Sequence, residues 1–278
     1  MPTSKIRVMS YNIRVPGDTD GPANAWERRR SEVAKVMIDF NPDFIGVQEL
    51  YNAEWRSYLH DKLTEGLARK YKTVSHGIFA DDARDMEGLF YDKDKFQKLR
   101  SGNIWFSSDP NRIGSQGWAC GPEQQRPKIM NWGRFKDLSN PNDKDLFVVN
   151  VHFDNWSAHA RLHSAQLLIE VLGSKSRDCR RIVMGDFNCA DSDGSKAPYF
   201  VLTGAARLQD AYREKNAPAD NEGTQAKNFR IAERGRRIDW ILASKQWTVH
   251  EASIDRTARD GRAPSDHCAV KAVLLSEY

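Results

Sequence analysis

Two spacings of apolar residues recur along the chain, and together they mark out its elements. Residues 6–13, Ile-Arg-Val-Met-Ser-Tyr-Asn-Ile, alternate enough to predict a strand, with Asn12 near its carboxyl end and Arg14 on the same face. Trp26, Val33, Val36, Met37 and Phe40 keep a helical spacing until Asn41-Pro42-Asp43 stops it. Residues 44–49 form a short apolar strand ending in Glu49. Trp55, Leu59, Leu63 and Leu67 then recur every fourth residue, which predicts an amphipathic helix over 52–70 lying on a sheet. Strands are predicted at 88–92, 103–106, 129–135 and 146–153, followed by a helix at 158–172 that buries Leu162, Ala165, Ile169 and Leu172. An apolar run from Ile182 leads straight into Gly185-Asp186-Phe187-Asn188. Beyond it come a polar loop, a short helix at 198–202, a basic stretch poor in strand signals at 213–236, a strand at 237–242 and a last strand through Leu275. No Pro/Gly/Ser-rich linker, low-complexity tract or repeat interrupts the series, so residues 1–278 read as one domain.

The ends of these strands carry the chemistry. Asp186 and Asn188 are two apart, so on a continuing strand they would point to one face and meet one ligand. A carboxylate that takes a proton from water and an amide that donates to a developing oxyanion are what hydrolysis of a phosphate ester needs; the structural alternative is an Asx turn. A carboxylate at the end of a buried strand is costly unless paired or bound to a cation, which suits Glu49 to a hard divalent ion or to a salt bridge at the sheet rim. Asn12 is a candidate ligand or a turn residue, and His152, which closes a third such strand, is a candidate for the site or a structural histidine. Ser265-Asp266-His267 sets an acid and an imidazole at the entrance to the last strand. One of the two would reach a metal and the other a phosphoryl oxygen or water, with Asp239 as the second acid that fixes the imidazole tautomer. His159 and His163, four apart without a nearby third ligand, read as a solvated helix face. The polar loop at 107–128 is long enough to cover a site, and Trp26, Trp118 and Trp156 are candidates for stacking, Trp26 equally for the core.

Composition narrows the classes. A formal charge of +4, from 42 basic and 38 acidic residues, gives only a weak global pull on polyanions, so local charge decides. Cys120, Cys179, Cys189 and Cys268 form no CxxC or Cys/His metal pattern, and the chain starts without an apolar leader; a reduced, cytoplasmic setting is expected. No apolar run approaches the roughly 20 residues that span a bilayer, so no stable membrane insertion is expected. No obligate protein partner is evident.

Six motifs occur in a set order: Ser-Tyr-Asn-Ile-Arg at 10–14, Ile-Gly-Val-Gln-Glu at 45–49, Asn-Val-His-Phe-Asp at 150–154, Gly-Asp-Phe-Asn at 185–188, Arg-Ile-Asp-Trp-Ile at 237–241 and Ser-Asp-His at 265–267. Over residues 6–275 this series resembles the endonuclease/exonuclease/phosphatase superfamily. The resemblance implies an α/β fold, a four-layer α/β/β/α sandwich of two mixed β-sheets, and a Mg²⁺-dependent phosphoesterase with Mn²⁺ as a substitute ion. Glu49 matches the principal metal-binding glutamate, Asn12 the asparagine beside it and Asp266 the metal-side aspartate. Asp186 matches the aspartate that orients or deprotonates water, Asn188 the asparagine that holds the phosphate, His267 the catalytic histidine and Asp239 the acid that orients it. His152 resembles a histidine of pancreatic deoxyribonuclease and the sphingomyelinases, where it would help the leaving group depart, and Glu87 is placed like the acid that pairs with it. Arg126 resembles a phosphate-contacting arginine. Arg14 stands where the apurinic endonucleases carry a second metal-binding aspartate, which argues against abasic-site cleavage. Glu222-Gly223-Thr224-Gln225 resembles a Glu-Gly-Thr-Phe segment of small bacterial members, with Gln225 in place of the aromatic.

The expected substrate is a small phosphorylated molecule held under the 107–128 loop with Arg14 and Arg126 near its phosphate, since the chain is near the minimum that the six motifs require and its net charge is slight. A nuclease is the alternative, with nucleic acid as partner, if residues 28–30 and 234–237 line one groove; runs such as 28–30 are usually solvated helix faces. A scaffold or a non-hydrolytic reaction on the same fold is the third reading, and the intact set of acid, amide and imidazole positions argues against it.

Overall fold

The computed structural model describes residues 4–17, 20–79, 87–118, 127–194 and 197–276. Two six-stranded sheets stack face to face. The first runs in the order β11 (Thr248–Ile254), β12 (Val270–Ser276), β1 (Ser4–Asn12), β2 (Phe44–Gln48), β4 (Glu87–Asp92), β3 (Tyr71–His76). The second runs β5 (Phe96–Trp105), β6 (Ile129–Asp137), β7 (Leu146–His152), β8 (Arg180–Asp186), β10 (Asp239–Ser244), β9 (Leu208–Asp210). Each sheet has one parallel pair at its centre, β1 with β2 and β7 with β8, and every other pairing is antiparallel. Helix α1 (Trp26–Phe40) joins the first parallel pair and α3 (Ala158–Lys175) the second. Helices α2 (Ala53–Leu67) and α4 (Pro198–Gly204) complete the outer layers.

Side-chain alternation builds the four layers. Ile6 and Val8 of β1 meet Val148, Ile182, Met184 and Ile241 of the opposite sheet, while Met9 and Tyr11 turn outward onto Val33, Met37 and Trp55 of α1 and α2. Val149, Val151, Val183 and Leu242 do the same against Leu168 and Leu202 of α3 and α4. The central strands are buried on both faces, which is why they read as nearly unbroken apolar runs. The expected α/β/β/α sandwich is the observed fold.

Local boundaries differ from the sequence reading for identifiable reasons. The helix expected at 52–70 is Ala53–Leu67, because the Asn52 side chain caps it by accepting the Trp55 N–H at 2.9 Å. The strand expected at 103–106 is the end of a ten-residue β5 whose outer half is mostly exposed. Strands β3, β9 and β11 were not expected. β3 and β11 are sheet edges with exposed polar positions, and β9 has only three residues, so none carries a long apolar run. In the 28–30 run, Arg28 faces solvent but Arg29 is 6% exposed, against the expectation of a solvated face.

A polar bolt ties the sheets together just below the strand ends. Gln48 Nε2 donates to Asn150 Oδ1 at 2.6 Å, and Asn150 Nδ2 donates to the carbonyls of Val47 and Gly88 at 3.0 and 3.2 Å. Gly46 leaves the space: a Cβ there would lie 2.6 Å from Asn150 Oδ1. Fully buried amides so paired fix the register of one sheet over the other, and hence the relative position of the strand ends.

Candidate active site

Asn12, Glu49, His152 and Asp186 lie at the carboxyl ends of β1, β2, β7 and β8, the four strands of the two parallel pairs. Strand β8 delivers Asp186 through Gly185, where a Cβ would fall 2.0 Å from the Val151 carbonyl oxygen of β7. Asp186 is buried, and three donors or acceptors converge on its Oδ2: Asn12 Nδ2 at 3.1 Å, His152 Nε2 at 3.6 Å and His267 Nε2 at 3.8 Å. Its other oxygen accepts the Asn188 N–H at 2.9 Å. β8 ends at Asp186, and Asn188 has φ 52°, so the strand alternation does not carry through. The Asx turn and the site therefore coexist, and the Asn188 amide donates to the Phe153 carbonyl at 3.0 Å, tying the ends of β7 and β8. Arg14 and Glu49 also have positive φ, 63° and 59°, so three non-glycine residues at one site hold a sparsely populated backbone conformation.

Two imidazole–carboxylate pairs flank Asp186. His267 Nδ1 lies 2.9 Å from Asp239 Oδ2, and His152 Nδ1 lies 2.8 Å from Glu87 Oε1. Both pairs are buried, and both orient the ring so that Nε2 faces Asp186. Burial by itself would lower the His267 pKa, but Asp239 and Asp186 raise it well above the ordinary value. Burial pushes the Asp239 carboxyl up to about 6 against the opposing charge of His267. Thr224 Oγ1 accepts the N–H groups of Ile238 and Asp239 at 3.0 and 3.2 Å, and the Thr224 carbonyl accepts the Cys268 N–H at 2.6 Å. Thr224 of the Glu-Gly-Thr-Gln segment thus links the strand of Asp239 to the chain beside His267.

Glu49 and Asp266 form the other side. Glu49 Oε1 accepts from Asn12 Nδ2 at 3.1 Å and Oε2 from the Val15 N–H at 2.8 Å. Burial would raise the Glu49 pKa, yet His152, Lys128 and these two donors hold it down to about 2. Asp266 is pushed upward by burial and by the charge of Glu49, against His267 and Arg14. Arg14 Nη1 stands 3.5 Å from Asp266 Oδ2, while Arg14 Nη2 bonds Asp20 at 3.0 Å. Asn12 Oδ1 accepts the Arg14 N–H at 3.0 Å. Mutually repelling carboxylates offering only oxygen are a donor set for a hard divalent cation, and the residues present fit one. Asp186, Asp239 and His267 also place one ligand atom each within 4.8 Å of one another.

The remaining expectations separate clearly. Arg126 lies outside the described residues, as do most of the residues around it. Lys128, which carried no signal beyond its place two residues after Arg126, puts Nζ 3.0 Å from His152 Nε2. Trp26 is core, stacked on Trp55 with ring centroids 3.9 Å apart. Trp118 stacks on His163 at 5.2 Å, and Trp156 is 68% exposed. His163 and His159 face each other on the helix surface with Nε2 atoms 3.0 Å apart. Among residues 234–237, Arg234 and Arg236 are exposed and paired with Asp220 and Asp193, whereas Arg237 is fully buried between Asp191 and Asp210.

Set against known families, residues 9–267 match the model of the Endonuclease/Exonuclease/phosphatase family. The chain belongs to this family. Family members are hydrolytic phosphoesterases, typically dependent on a divalent metal. The endonuclease/exonuclease/phosphatase structure from Bacteroides vulgatus is similar at 27% identity, covering 99% of this chain and 100% of that one with a TM-score of 0.84. The mannosyl-6-phosphatase of Bacteroides thetaiotaomicron VPI-5482 is similar at 26% identity, covering 97% of this chain and 99% of that one with a TM-score of 0.78. An uncharacterised Acanthamoeba polyphaga mimivirus protein is 30% identical over 171 residues, 60% of this chain; the match spans 60% of that relative's length. No helix among the described residues is long and apolar enough to cross a membrane.

Proposed function

We propose that this family member is a Mg²⁺-dependent hydrolase of phosphate esters acting on a small phosphorylated molecule. The observation that carries the reading is the convergence of Asn12, His152 and His267 on one buried oxygen of Asp186, each imidazole backed by its own acid. Glu49 and Asp266 would hold the ion, with Asn12 orienting Glu49. When bound, the ion supplies Lewis-acid polarisation of the phosphoryl oxygens and offsets the charge of the acids. Asp186 takes the proton of the attacking water, which Asn12 and the imidazoles keep in place. His267, oriented by Asp239, and Asn188 stabilise the charge that develops on the phosphoryl oxygens. Arg14, pinned by Asp20, and Arg126 place the phosphate.

Two things favour a small substrate. Burial of Arg237 and Arg29 takes one arginine out of each basic run, while Arg234, Arg236 and Arg28 stay exposed, which weakens the support for a nuclease without removing it. A similar protein covering nearly all of this chain is a mannosyl-6-phosphatase, which supports a phosphorylated sugar as a class to test first. The experiment is a screen of hexose phosphates, other phosphorylated metabolites, dinucleotides, phospholipids and DNA with Mg²⁺ or Mn²⁺ and with excess chelator. Turnover of a small ester that chelation abolishes is expected. Rapid plasmid nicking with a log–log salt slope of roughly −0.9 per neutralised phosphate would assign a nuclease instead. Turnover unchanged in chelator would overturn the metal assignment.

A further inference from the structure

We propose that Lys128 is a catalytic residue of this site: it donates to the departing ester oxygen, while His152 and Glu87 hold its ammonium in place. The inference rests on the phosphoesterase reading above. Lys128 is the residue before β6, and its carbonyl accepts the Phe106 N–H at 2.8 Å, so its backbone belongs to the sheet edge. Its Nζ is 3.0 Å from His152 Nε2, and His152 Nδ1 is 2.8 Å from Glu87 Oε1.

Donor and acceptor chemistry then assigns the protons. An ammonium has three hydrogens and no acceptor, so a hydrogen bond to His152 requires Nε2 to accept. The ring hydrogen is therefore on Nδ1, directed at buried Glu87. In this arrangement His152 has no hydrogen at Nε2 for a leaving group. Lys128 keeps two, and it stands on the Asp186 wall of the site, since His152 Nε2 is also 3.6 Å from Asp186 Oδ2. His152 and Glu87 are then positioning residues for the ammonium.

The step balances. The water oxygen bonds to phosphorus as its proton passes to Asp186, and the ester P–O bond breaks with its electron pair going to the leaving oxygen. That oxygen takes a proton from Lys128 Nζ, and the neutral amine recovers one from solvent. An alkoxide is far more basic than a lysine amine, so the transfer is downhill; p-nitrophenolate leaves without a proton and gains little from a donor.

Leaving-group dependence is the test, with Mg²⁺ present throughout. Wild type, Lys128→Met and Lys128→Arg are compared on a hexose 6-phosphate and on p-nitrophenyl phosphate, or on a dialkyl phosphate and bis-p-nitrophenyl phosphate if wild type prefers diesters. Lys128→Met should lower kcat on the alkyl ester by about 10²-fold or more, with KM little changed, and only a few-fold on the nitrophenyl ester. Lys128→Arg, which keeps a charged donor, should recover part of the alkyl-ester loss. Equal losses on both esters, or a loss confined to KM, would make Lys128 a phosphate-holding residue and overturn the proposal. Unfolding curves matching wild type are required of both variants, and Lys128→Arg carries the test alone if Lys128→Met does not fold. A wild type that cleaves no phosphate ester would instead overturn the parent reading.

Discussion

Arg29 offers the most demanding test of how this site is held. Its guanidinium is buried and, among the described residues, pairs with no carboxylate; it donates instead to four backbone carbonyls, those of Ile13, Arg14, Asn24 and Pro264. The rings of Trp26, Trp55 and Phe229 lie 5.3, 5.6 and 5.5 Å from it. Ile13 and Arg14 follow Asn12, and Pro264 stands two residues before Asp266, so one planar cation ties both of these segments to α1. Replacing it by Met keeps the aliphatic volume and removes all four donors. A carbonyl left unsatisfied costs about 1–3 kcal/mol, and the lost contacts with the rings add about 0.5–2 kcal/mol. Against this stands relief from burying an ion, several kcal/mol. A net loss of about 2–4 kcal/mol follows, or a fall in Tm of roughly 5–15 °C for a chain of this size. The assay is urea and thermal unfolding by circular dichroism, with Mg²⁺ titration of the folded variant by calorimetry. Arg29→Lys should fall between, because three compact donors cannot reproduce the planar fork. An Arg29→Met protein with unchanged stability and unchanged Mg²⁺ affinity would refute the reasoning.

Three further outcomes are expected. Asp239→Asn should lower kcat by about 10–100-fold, less than His267→Ala, because the ring keeps its place but loses its tautomer control; steady-state kinetics that show only a KM change would move Asp239 out of this role. Gly185→Ala should cost about 3 kcal/mol or more, since its Cβ would lie 2.0 Å from the Val151 oxygen and force β7 and β8 apart just before His152 and Asp186; a fully stable variant would show that the strands can yield. For pH, burial would raise Asp191, but Arg237 and Arg213 hold its carboxyl below the ordinary range. A depressed folded pKa stabilises above the unfolded pKa of about 4 and loses that contribution as pH falls through the folded value. The urea midpoint should thus decline below about pH 4, and Asp191→Asn should be less stable at pH 7 while converging with wild type in acid. Parallel curves at every pH would refute this.

The fold class and the residues that converge in the candidate site were largely legible because both are written locally. Continuous apolar runs mark strands buried on both faces, and a polar residue at the end of such a run has few places to go. Asn12, Glu49, His152 and Asp186 were found in this way, and the order of the motifs named the superfamily. Residues whose role depends on a distant partner left no such mark. Arg29 reads as one of three surface arginines until α1 is packed, when its position on the helix, rather than its charge, decides that it is buried. Lys128 is an ordinary lysine beside a loop until β6 and β7 pair and bring it to His152. The Gln48–Asn150 bolt joins residues 102 apart across two sheets, and the sequence shows only two amides. Asn188 was expected to share the face of Asp186, but strand alternation holds only while the strand does, and the turn after Asp186 is set by Asx bonding and by the neighbouring end of β7. Spacing along a chain determines which residues share a face of one element. Which faces meet is decided by the packing of elements far apart in sequence, and the charges, donors and acceptors that act on one another are chosen only then.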